Sequence, residues 1–137
     1  MKKVLAVLMG IILFAGCSKK SQYTNDLAGT WTVYKVTLNN SPDGNATDSF
    51  SHYSITFTSG GQYAEFDTLA ASGPTATGDT IARSGAWQFQ NSYGQLVLTD
   101  SAAAGVPAST TYTIFDLTGS SVELLNDGYT RYMRKNP

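Results

Sequence analysis

Few side chains in this 137-residue chain have both the chemistry and the spacing to act on another molecule. His52 is the sole histidine and Cys17 the sole cysteine, which excludes a multi-histidine metal site and an intramolecular disulfide. The chain has many Ser and Asp residues, but no nucleophile-elbow pattern accompanies His52. It therefore reads as an ordinary polar residue at the start of a strand. Glu65 and Asp67 are two apart on one predicted strand and share a face, the placement that paired carboxylates need for acid and base work; a solvated outer face is the simpler expectation. The acidic, Gly-containing stretch from Asp43 to Asp48 lacks the ligand spacing and closing Glu of an EF-hand and reads as a turn-rich loop. These observations lead to an expectation of no catalytic residue, no metal and no cofactor.

Cys17 is different because of what precedes it. Lys2 and Lys3 form a positive start, Val4 to Ala15 an apolar run, and Ala15 and Gly16 are small; that order marks residues 1–16 as a cleaved export signal. The run is about 12 residues, well short of the roughly 20 that a membrane-spanning helix needs. The stretch Leu13, Phe14, Ala15, Gly16, Cys17 resembles a lipobox, with Phe14 where an aliphatic residue is usual. The resemblance implies a diacylglyceryl group on the Cys17 sulfur, cleavage just before it, and a membrane as partner. One acyl chain anchors marginally and several anchor firmly. Residues 18–25 show no apolar periodicity, so residues 17–25 read as a lipidated cysteine and flexible tether, able to reach about 25 Å at about 3.3 Å per residue. By resemblance to lipoprotein sorting in double-membrane bacteria, Ser18 rather than Asp implies the outer membrane. Lys19 and Lys20, where some surface lipoproteins carry acids, imply its periplasmic face. Without Lys2 and Lys3 the mature chain has seven basic against ten acidic side chains, a formal charge of −3. No basic stripe remains to suit nucleic acid.

The elements that must position anything else are strands. From residue 26 to 137 the chain is rich in Thr, Tyr, Val, Phe and Gly, and eight runs alternate apolar and polar with period two: Thr30 to Leu38, His52 to Thr58, Gln62 to Thr68, Thr80 to Gln90, Gln95 to Thr99, Thr110 to Leu117, Val122 to Leu125 and Tyr129 to Lys135. Gly85, inside the fourth, marks a bend or bulge. No adequate helical stripe appears, so the expectation is an all-β sandwich or barrel. The connections between runs two and three, four and five, and six and seven are short. Those between one and two, three and four, and five and six are long and rich in Gly, Pro, Ala, Ser and Asn. If the strands run up and down in order, the long loops gather at one end, giving a barrel with a mouth and a floor and no open sheet edge. The tight turn from Asn126 to Gly128 breaks that pattern.

Asp26 to Val33 read D-L-A-G-T-W-T-V, which resembles the opening of the lipocalins and related small barrels. Gly29 and Trp31 stand where that family's first strand plugs its floor, and a basic residue near the end of the last strand then lies against the Trp. Arg134 is the candidate, with Arg131, on the opposite face of the strand, as its rival. A second Gly, any residue, Trp at Gly85 and Trp87, followed by Phe89, resembles the middle strands of bacterial lipocalin-like lipoproteins. The resemblance implies a single eight-stranded up-and-down antiparallel barrel. Alternation proposes an inward set of Trp31, Val33, Tyr53, Ile55, Phe57, Tyr63, Trp87, Phe89, Leu96, Leu98, Tyr112, Ile114, Val122 and Leu124. An eight-stranded barrel is just wide enough to be filled by side chains or to hold one small ligand. Two functions stay open. One is binding of a small apolar or aromatic ligand by Tyr53, Ile55, Phe57, Tyr63, Trp87, Phe89, Tyr112 and Ile114. The other is a filled barrel that contacts or inhibits an envelope protein.

Overall fold

A computed structural model of the chain describes residues 19–39, 41, 44–46, 52–68, 80–101 and 108–137. The export signal, Cys17, Asp43 and Asp48 lie outside the described residues. A helix, α1, spans 19–27. Eight strands follow: β1 Gly29–Leu38, β2 Tyr53–Phe57, β3 Gln62–Thr68, β4 Thr80–Gln90, β5 Gln95–Asp100, β6 Ser109–Leu117, β7 Ser121–Asn126 and β8 Tyr129–Lys135. Each pairs antiparallel with its neighbour in sequence, and β8 pairs back onto β1, closing the ring. Closure leaves no strand with unpaired backbone along a free edge, which is what makes a small all-β domain without a disulfide tenable.

Alternation in the sequence is what sets the inner face. On β2, Tyr53, Ile55 and Phe57 are buried while Ser54 and Thr56 are half-buried, as a pleat with one side on the core requires. The up-and-down order sends the β1–β2, β3–β4, β5–β6 and β7–β8 connections to one end, the mouth. The β7–β8 turn there is short because Asp127 (φ 50°) and Gly128 (φ 79°) are both left-handed, the backbone that two-residue hairpins favour. The three hairpins at the other end, the floor, are all short.

The floor half of the interior is filled. Trp31, Phe57, Leu96 and Met133 are fully buried there, with Val122 nearly so. Burial of a large apolar side chain contributes about 1.5–3 kcal/mol each. The floor is also where the tether reading needs correction: residues 19–25 belong to α1, not to a flexible linker. A helix of this length does not hold itself together in water, so packing must supply its stability. Leu27 is wholly buried in the barrel core, and the Trp31 Nε1–H donates to the Leu27 carbonyl at 2.7 Å. Tyr23 stacks on Tyr93 of the β4–β5 hairpin, with centroids 4.7 Å apart, and meets Phe89 edge-on.

Gly85 is required by close approach. A Cβ built there would overlap the Thr99 carbonyl oxygen of the neighbouring strand, so this position admits no side chain without moving β4 from β5.

Candidate functional site

The mouth half of the interior differs in kind from the floor. On β3, Tyr63 and Glu65 share the inner face, and Glu65 lies directly opposite Arg83 of β4. Glu65 is only 5% exposed, and the Arg83 guanidinium donates to its Oε1 at 2.8 Å while remaining near the surface. Two β-strand periodicities thus converge: Tyr63 and Glu65 from one strand, Arg83, Gly85 and Trp87 from the other. Burial acts to lower the Arg83 pKa, but the charge and hydrogen bond of Glu65, together with Asp100 and Tyr112, hold it above its ordinary value.

Three phenols complete the cluster. Burial, and then the proximity of Tyr112 and Glu65, push the Tyr53 hydroxyl well above its ordinary value. Tyr112 is raised by burial as well, against the opposing pull of Arg131, whose guanidinium carbon stands 5.6 Å from the Tyr112 ring centroid. Burial followed by a hydrogen bond to Asp100 raises Tyr63; its hydroxyl donates to the Asp100 Oδ1. These phenols stay neutral and able to donate at any physiological pH, beside a guanidinium that stays charged. The mouth half of the inner wall therefore gathers three phenols, a buried carboxylate and the guanidinium groups of Arg83 and Arg131.

The sequence-predicted residues divide between the two ends. Tyr53, Tyr63 and Tyr112 join the polar cluster. Ile55 and Phe57 are wholly buried, and Ile114 packs partly buried against the same core. Trp87 and Phe89 lie edge to face at 5.2 Å, and they line, with Lys20, Thr24, Gly60 and Tyr93, an open groove of about 620 Å³ between α1 and the floor hairpins. The outer-face reading of Glu65 is corrected, because inward parity shared with Tyr63 places it inside. The Asp67 side chain lies outside the description. His52 is exposed at the mouth. No three His, Cys, Asp or Glu side chains converge among the described residues.

The floor contact also needs correction. Trp31 pairs with Lys135, whereas Arg134 pairs with Thr32. Residues directly opposite across an antiparallel pair share a face, so Lys135 joins Trp31 inside and Arg134 points out. The Lys135 Nζ stands 5.0 Å from the Trp31 ring and donates to the Asp26 carbonyl at 2.6 Å, at the C-terminal end of α1. Arg134 covers Tyr34 instead, at 4.4 Å. Gly29 (φ 136°) leaves room for this crossing: a Cβ there would meet the Lys135 Cδ at 3.1 Å. Arg131, the rival candidate, lies toward the mouth beside Tyr112.

Sequence reasoning did not bring Glu65 and Arg83 together inside the ring, nor set Lys135 against Trp31. The available signal was parity: Glu65 lies two residues from Tyr63, and Arg83 four from Trp87.

A family model of the lipocalin-like domain matches residues 27–124. Among solved structures, the chain is similar to a lipocalin-like protein from Bacteroides uniformis ATCC 8492, at 16% identity and a TM-score of 0.59, over 81% of this chain and 99% of that one. It is likewise similar to an uncharacterized protein from Bacteroides eggerthii DSM 20697, at 12% identity and a TM-score of 0.56, over 80% and 99%. At these identities the likeness is one of fold. No curated protein matches the chain.

Proposed function

We propose a function from one premise: the chain belongs to the lipocalin-like domain family. On this reading it is a lipoprotein, anchored through lipid on Cys17 to the periplasmic face of the outer membrane. Its barrel binds one small ligand with an apolar or aromatic body and a polar end. The observation that carries the reading is the Glu65–Arg83 pair with Tyr53 and Tyr112 inside the ring. Holding the Glu65 carboxylate inside the ring costs desolvation that an apolar residue of similar size would avoid, even with Arg83 half in water. A barrel that needed only to be filled does not call for that carboxylate. Recognition accounts for that cost: the phenols and Arg83 hold the ligand's polar end while its body packs above the floor aromatics. Native mass spectrometry of protein drawn from its own envelope, with titration by a fluorescent fatty acid, is the test. A consistently empty barrel that also rejects the probe would refute ligand binding. For the anchor, Cys17→Ser should release the domain or leave the precursor uncut; normal cleavage with unchanged membrane retention would contradict it.

A filled barrel that contacts an envelope protein is the second reading. The fully packed floor half favours it, as does the position of the 620 Å³ groove outside the ring. Crosslinking in living cells decides: a reproducible partner supports this reading, and none counts against it.

A further inference from the structure

We infer that the barrel sits floor-down on an anionic phospholipid surface, with its mouth turned away from the bilayer; this rests on the lipid anchor at Cys17 proposed above. The helix carries the argument. Because α1 is packed on the floor through Leu27, Tyr23 and the Trp31 bond to Leu27, the anchored end of the chain is fixed to one end of the barrel. Lys20 lines the groove beside Ser59 and Gly60 of the β2–β3 hairpin and Asn91 and Ser92 of the β4–β5 hairpin, so it stands level with the floor. Cys17 is three residues before Lys20. Fully extended, that span reaches about 11 Å, half or less of what a free tether from Cys17 to β1 would allow.

Charge points the same way. The floor connections, residues 58–61, 91–94 and 118–120, carry no charged side chain, and Lys19 and Lys20 at the start of α1 are exposed. The mouth turn between β7 and β8 carries Asp127 and neither Lys nor Arg. An anionic surface therefore attracts the end to which the anchor is tied, where Lys19 and Lys20 stand. The groove lined by Trp87, Phe89 and Tyr93 then opens toward the headgroups, and the polar cluster opens toward the aqueous side.

The lipid occupies the only thiol, so a single introduced cysteine can be labelled specifically. Ser120→Cys on a floor hairpin and Ser101→Cys at the mouth, both exposed, would each carry a donor dye on the acylated full-length mature protein. The protein would be reconstituted into vesicles of phosphatidylethanolamine and phosphatidylglycerol with an acceptor dye on a trace of headgroups. Strands of this length, tilted as in eight-stranded barrels, separate the two labels by about 17 Å along the barrel axis. Energy transfer is expected to be stronger from position 120 than from position 101. Equal transfer, or stronger transfer from position 101, would overturn the orientation while leaving the anchor intact. Failure of the acylated protein to pellet with the vesicles would refute the anchor and this orientation together.

Discussion

Removing either half of the Glu65–Arg83 pair should not cost the same, and the difference follows from how unequally the two are buried. The Arg83 side chain is 46% exposed and that of Glu65 only 6%. In Glu65→Gln the guanidinium keeps a neutral acceptor and regains water on its exposed half, so the expected loss is about 0.5–1 kcal/mol. In Arg83→Met the Glu65 carboxylate stays inside the ring without its cation. Breaking a fully buried pair costs about 3–5 kcal/mol, and solvent access to the Arg83 position reduces this to about 2 kcal/mol here. Urea denaturation followed by Trp fluorescence measures both losses. Equal losses for the two variants would show that the pair is not the buried carboxylate and half-solvated cation described above.

Three further outcomes are expected. Lys135→Met should lower stability by about 1–2 kcal/mol through the lost Trp31 and Asp26 contacts, whereas Arg134→Met should stay within about 0.5 kcal/mol; thermal melts that rank them the other way would reverse the floor assignment. Gly85→Ala should cost about 3 kcal/mol, the upper range of overpacking, since the Thr99 carbonyl cannot yield as a flexible side chain would; an unchanged melting temperature would contradict the close approach. The folded pKa values of Tyr53, Tyr63 and Tyr112 all lie above the ordinary value of 10.0. The unfolded chain therefore gives up those protons first, so stability holds below pH 10 and falls above it by up to about 4 kcal/mol per pH unit for three groups. Phenolate absorbance should rise for these three only as the protein unfolds, and ionisation of all eight tyrosines near pH 10 in a still-folded protein would be the contrary result.

The ring itself was legible because period two is a local property. Every strand lies within about a residue of its alternating run, and the inward set from Trp31 through Leu124 is buried or packed against the core. Loop length did the same for topology: three short and three long connections in strict turn place the long ones at one end once the order is up and down. Helix α1 was not legible for the opposite reason. Its sequence, Lys19 to Leu27, carries no stripe of its own, and only Leu27 is buried; the aromatic surface that holds it, Phe89 and Tyr93, lies more than 60 residues further along.

Parity names a face but does not say what that face is worth, and this is why the polar cluster was misplaced. Glu65 followed the inward phase of Tyr63, yet a carboxylate on a strand is expected to seek water unless a partner is known, and its partner Arg83 comes 18 residues later on a strand whose register only the fold fixes. The same limit separated Arg134 from Lys135. A basic residue at the end of the last strand was visible, but the choice between adjacent positions of opposite parity depends on one pairing, Trp31 with Lys135, in the seam that closes the ring. The β1 bulge between Val33 and Lys35 shifts the register within that seam, so counting from either strand alone cannot carry the phase from floor to mouth. Local pattern therefore yields the barrel and its apolar plug, while the polar residues of the mouth half become assignable only when two distant strands meet.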